Sequence, residues 1–153
     1  MSNIKSIISK LPNMEFLQPA SENQIRSAEE QLGLRFADEY REYLSFFGMA
    51  WSDIIAISGI CEDEDYEVVN LTNKIKKTYL GIPANFYVIE DVGVDGLVIW
   101  QSSTGEIYQS IPNSNPVKIF DSLSDFLIYQ MEDWKYQFAN YFKQSLTKEK
   151  YYD

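Results

Sequence analysis

Histidine is absent from the 153 residues, and cysteine occurs once, at Cys61. The first absence removes Ser-His and Cys-His nucleophile pairs and every histidine-containing metal site. The second excludes an intrachain disulfide and a thiolate zinc cluster, and it fits a reducing cytoplasm. Neither G-x-x-x-x-G-K nor G-x-G-x-x-G is present, so no phosphate-cradling loop is expected. No stretch approaches the roughly 18 consecutive apolar residues that a membrane helix needs. Met1 to Lys5 lead into no long apolar run, which predicts no signal peptide and a soluble, cytoplasmic chain. Basic charge is also scarce, with 13 Lys and Arg against 23 Asp and Glu, a net charge of −10. Such a polyanion repels nucleic acid and anionic lipid, and attracts basic partners at a rate that falls with salt. The other reading of the charge is solubility alone.

Much else is present in quantity. At this length one domain can bury roughly 70% of its unfolded surface, so a core needs no staples. Apolar residues make up 45% of the chain and aromatic residues 15%. Eleven tyrosines and nine phenylalanines exceed what packing obviously needs, which predicts some rings at the surface or in a cleft.

The chain divides into elements without internal repeats or low-complexity linkers. Ile4, Ile7, Ile8 and Leu11 are spaced for a short amphipathic helix that Pro12 ends. Ser21 and Gln24 form a capping box for a helix buried through Ile25, Ala28 and Leu32, with Gly33 as its C-terminal cap. A third helix runs from about Ala37 to Phe47, pressing Tyr40, Tyr43, Leu44 and Phe47 inward. Ile54 to Ile57 read as a buried strand, and Tyr66 to Tyr79 as a helix buried through Val68, Leu71, Ile75 and Tyr79. Four strands follow at Phe86–Glu90, Gly96–Gln101, Glu106–Gln109 and Val117–Phe120, with turns at Val92–Asp95 and Ser102–Gly105. A last helix starts near Asp121 or Ser122, with Asp125 completing a capping box. It carries Leu123, Phe126, Leu127, Met131, Trp134, Phe138, Tyr141 and Phe142 along one stripe, and residues 145–153 are expected to fray. Segregated helices and hairpin-linked strands predict an α+β fold, an antiparallel meander packed with helices in a single domain over 1–153.

Few residues offer chemistry. Cys61 precedes Glu62, Asp63, Glu64 and Asp65, whose field should raise its thiol pKa and make it a poor nucleophile. Asp91-Val92-Gly93-Val94-Asp95-Gly96 has the outline of a calcium loop, but Gly93 and Ser102 occupy ligand positions, so it reads as a hairpin turn with Gly93 or Gly96 at positive φ. Paired carboxylates remain the one enzymatic option, and nothing selects a pair. No catalytic residue, metal or cofactor is therefore expected. Glu62, Asp63, Glu64, Asp65 and Glu67 put five carboxylates in six positions around Tyr66. They read either as a solvated loop at a helix N-terminus or as a docking patch for a basic protein. Trp51 and the turn acids Asp91 and Asp95 complete the candidate partner-binding set, although Trp51 and Trp100 are each expected in the core.

Four segments then carry a resemblance: Ile25–Gly33, Phe36–Leu44, Tyr87–Gly96 and Val117–Leu127. Their order over about residues 20–130 resembles the SUKH superfamily, which includes the Smi/Knr cell-wall-synthesis regulators and many bacterial immunity proteins. The usual Leu-Pro is Phe36-Ala37 here, and the aromatic-poor loop after the helix-ending glycine is replaced by Met49-Ala50-Trp51-Ser52-Asp53. The resemblance implies an α+β fold and a role in binding, often neutralising a toxin, with motifs that are structural. Three functions follow in order: an immunity protein against a basic-surfaced toxin, an intracellular scaffold or regulator of the same fold, and a carboxylate-based hydrolase.

Overall fold

The computed structural model describes residues 3–133. Their elements run α1 (Ile4–Lys10), β1 (Glu15–Phe16), α2 (Glu22–Leu32), α3 (Asp38–Phe46), β2 (Ala50–Trp51), β3 (Ala56–Ile57), α4 (Val68–Thr78), β4 (Phe86–Asp91), β5 (Val98–Ser102), β6 (Ile107–Ser110) and β7 (Val117–Phe120). A final helix, α5, begins at 123 and is followed to 133. The strands form two antiparallel sheets, a small β1-β2-β3 and a meander β4-β5-β6-β7. The fold is α+β.

Alternation along β4 makes the meander the central layer. Phe86 and Val88 face α4, sharing a core with Leu71, Ile75, Val98 and Trp100. Tyr87 and Ile89 face the other way, into the larger core built with α1, α2, α3 and α5. A strand buried on both faces needs a continuous apolar run, and Phe86-Tyr87-Val88-Ile89 is one. The two sheets are stitched together at Ser58, whose amide donates to the Ile89 carbonyl (2.7 Å) and whose hydroxyl donates to that of Val88 (2.6 Å).

Helix ends follow the sequence closely. Ser21 and Gln24 form the reciprocal capping box, and Gly33 closes α2 at φ +67°. Ser122 Oγ accepts from the Asp125 amide, which is one half of the expected capping box. The other exposed amides of that helix end are held from a distance: Glu39 on α3 accepts from Leu123 (2.8 Å) and Ser124 (3.0 Å).

Several boundaries differ from the sequence reading. Strands β1 and β2 carry two residues each, too short for a periodic signal. Only Ala56 and Ile57 of the 54–57 run are strand, because Ser52–Ile55 forms the β2–β3 turn, closed by the Ser52 amide on the Ile55 carbonyl (2.7 Å). Helix α4 starts at Val68, since Glu67 acts as its N-cap and leaves Tyr66 outside. Gly93 and Gly96 both take positive φ, so Gly96 and Leu97 belong to the turn and β5 starts at Val98. The distal stripe residues Trp134, Phe138, Tyr141 and Phe142, and the segment 145–153, lie outside the described residues.

The aromatic residues divide as expected, with Phe16, Tyr66 and Tyr129 among the exposed ones and three tyrosines deep in the core. Tyr40, Tyr43 and Tyr87 are fully buried, and their hydroxyls satisfy buried polar groups of neighbouring segments. Tyr43 accepts from the Ala50 amide (2.8 Å) and donates to the Ile57 carbonyl (3.1 Å). Tyr40 donates to the Ser58 carbonyl (2.9 Å). Tyr87 accepts from the Ala37 amide (3.0 Å) and donates to Gln101 (2.7 Å). A proline at 37 would have no amide to give, which accounts for Phe36-Ala37 in this chain.

Candidate functional site

The β2–β3 turn, the loop 61–66, the end of β4 and α5 surround two adjoining hollows on one concave face. The larger, about 650 Å³, is lined by Ile54, Tyr66, Glu90, Asp91, Phe120 and Tyr129 among others. The second, about 570 Å³, lies between Leu17, Met49, Trp51, Cys61, Glu62 and Asp63. Ser52, Ala56 and Tyr66 border both, so the hollows are continuous.

Local bonding explains why the acidic loop stands where it does. The Asp63 carbonyl accepts from the amides of Tyr66 (3.0 Å) and Glu67 (2.9 Å), and Asp63 Oδ1 accepts from the Asp65 amide (3.0 Å). That turn throws the Tyr66 ring outward, leaving it 41% exposed. Glu67 is spent on structure, its carboxylate accepting from the amides of Val69 (3.1 Å) and Asn70 (2.8 Å) at the start of α4. Asp65 sits 3.8 Å from Lys74 Nζ at the surface, a weak pair.

The structure thus gathers Trp51, Glu62, Asp63 and Asp91 onto one face, while Glu64, Asp65, Glu67 and Asp95 line neither hollow. Trp100 is fully buried, its Nε1 donating to Ser110 Oγ (2.8 Å). Trp51, expected in the core, is half-buried in the wall of the second hollow. Cys61 is half-buried, and burial, reinforced by the charges of Glu67 and Asp63, holds its thiol above the usual range.

Glu90, Tyr66 and Tyr129 were not singled out by the sequence. Glu90 ends the apolar run of β4, where a bulge between Val88 and Glu90 shifts the pairing with β5. Its Oε2 accepts from the Ala56 amide (2.9 Å), extending the seam between the sheets. Burial pushes its carboxyl up to about 7, with the neighbouring Asp91 charge adding to the effect and the Ala56 hydrogen bond opposing it. A bulge without glycine leaves no trace in sequence. Tyr66 did leave one, as the single ring interrupting five acids.

Every charged side chain lining the two hollows among the described residues is a carboxylate: Asp53, Glu62, Asp63, Glu90 and Asp91. Carboxylates interleaved with Trp51, Tyr66 and Tyr129 suit cations, which gain from both the charges and the ring faces.

The family model SUKH_5, described as SMI1-KNR4 cell-wall, matches residues 4–138. The chain belongs to the SUKH superfamily, in the SMI1-KNR4 family. No curated protein matches it significantly. No helix among the described residues is long and apolar enough to cross a membrane.

Proposed function

We propose that this domain is a non-catalytic immunity protein that blocks a cognate toxin by docking its concave face on a basic surface of that toxin. The observation that carries the reading is the lining of the two hollows, where carboxylates stand among aromatic rings with no cationic side chain among the described residues. Membership of a superfamily that contains many immunity proteins supports it. Aromatic rings are favoured hot spots, and like-signed rim charges speed encounter with an oppositely charged partner. The net charge of −10 argues against nucleic acid or anionic membrane as the partner.

The test is capture with the immobilised protein in its native strain, identification by mass spectrometry, and assay of the captured protein's activity. The expected partner is basic, and its toxic activity falls at stoichiometric amounts of this chain. A partner whose activity is untouched would support the scaffold or regulator reading of the same fold.

A further inference from the structure

We infer that the larger hollow is an anchor pocket for one cationic side chain of the partner, an arginine or a lysine, whose head group sits on the unpaired oxygen of Glu90. The inference rests on the binding reading above and assigns that site its ligand chemistry. Its first support is the state of Glu90. Oε2 is tied to the Ala56 amide, whereas Oε1 has no hydrogen bond among the described residues. No fully buried side-chain oxygen or nitrogen among those residues lacks a partner, so Oε1 must open onto the hollow. An acceptor so recessed is presented to an entering donor and shielded from bulk water, where an ion pair is screened less than at a rim.

The second support is the composition of the walls. Ile54, Ile99, Phe120 and Phe126 share the lining of the pocket with Glu90. They suit the methylene stem of a long basic side chain, whose charge then reaches beyond them. The titratable groups that share the lining with Glu90 are Asp53 from the β2–β3 turn, Tyr66 from the acidic loop, Asp91 from β4 and Tyr129 from α5. None is cationic, so no described side chain already neutralises Glu90, and the phenol rings can stack on a guanidinium.

Protonation then couples to binding. Below neutrality burial keeps Glu90 largely protonated, and a cation binds only by displacing that proton. Affinity therefore rises as pH passes upward through about 7.

The experiment is an NMR titration of the full chain with N-acetyl-arginine methylamide, its lysine counterpart, and the uncharged norleucine counterpart. With either cationic probe, shifts should centre on Ala56, Tyr66, Glu90 and Asp91, saturating in the millimolar range and at lower concentration at pH 8 than at pH 6. Glu90→Gln, which keeps an oxygen for the Ala56 amide, should weaken binding about tenfold or more. Asp95→Asn, an equal change of charge outside the hollow, should not. An unchanged melting temperature of Glu90→Gln at pH 5 shows that its fold is intact. Equal responses to the norleucine probe, retained affinity in Glu90→Gln, or no response to any probe would overturn the anchor assignment. Shifts confined to Trp51, Glu62 and Asp63 would overturn it too, while leaving the acidic-face reading in place. The binding reading itself stands or falls separately, on the capture experiment.

Discussion

Glu90 holds two structural roles in tension, since it is half-buried to reach the Ala56 amide yet carries an ionisable group. Its folded value of about 7 lies above the ordinary 4.5, so the folded state holds the proton more tightly than the unfolded chain does. The resulting stability is fully present below about 4.5 and is lost as pH rises through about 7. Glutamine at this position has no such dependence. The difference in unfolding free energy between Glu90→Gln and wild type should therefore shift in the variant's favour from pH 5 to pH 8, by up to about 3 kcal/mol. Denaturant titrations across that range would show it, and parallel pH profiles would deny the burial of Glu90. Two glycines separate steric from conformational need at the same scale. At Gly93, φ is +77° and a Cβ would meet nothing within 4 Å, so Gly93→Val should cost only the backbone term, about 2 kcal/mol. At Gly59 a Cβ would lie 2.0 Å from the Gly48 carbonyl oxygen, which is itself bonded to the Ile60 amide. Gly59→Ala should therefore destabilise more than Gly93→Val, as compared by thermal unfolding. The reverse order would mean that the 48–59 crossing is loose.

Among the elements, α5 depends on two supports from outside the helix. Phe126 is 1% exposed and packs edge-on against Phe120, so Phe126→Ala should cost about 3–5 kcal/mol. Glu39 caps the same helix from α3 across more than eighty residues of chain, and Glu39→Gln should cost about 1–2 kcal/mol through the weakened cap. Chemical denaturation measures both, and a near-neutral Glu39→Gln would show that α5 is held by packing alone. Elements of this length were legible in the sequence because their apolar residues repeat: α2 through Ile25 and Ala28, α3 through Tyr40, Tyr43 and Leu44, β4 as an unbroken apolar run. The Ser21 box and the Gly33 cap were legible because capping chemistry is local. Strands of two residues were not, since β1, β2 and β3 exist only through pairing with one another, helped by the phenol of Tyr43. Half of the candidate face was readable in the same way. Acid density marked Glu62 and Asp63, and an aromatic beside a turn marked Trp51. Glu90 was hidden because a bulge and a long-range amide, neither of them local, determine where it points.

As a whole molecule the chain combines a rigid tyrosine-laced interior with an anionic exterior, and its functional account rests on the concave face where the two meet. Its lining acids act on the partner from a distance as well as on contact, so their removal should slow encounter more than it hastens release. Charge on the rest of the surface adds a uniform background that the same salt screens, which makes the position of the removed charges the informative variable. The most direct measurement is the association rate of the captured partner, at low and physiological salt, with wild type and with the triple variant Glu62→Gln, Asp63→Asn, Asp91→Asn. Asparagine at 63 and 91 keeps an oxygen for the turns that those residues close, so the variant should fold normally. The account predicts slower association for the variant and a clearly shallower dependence on salt. Equal rates and equal salt slopes for the two proteins would contradict the assignment of this face as the binding surface.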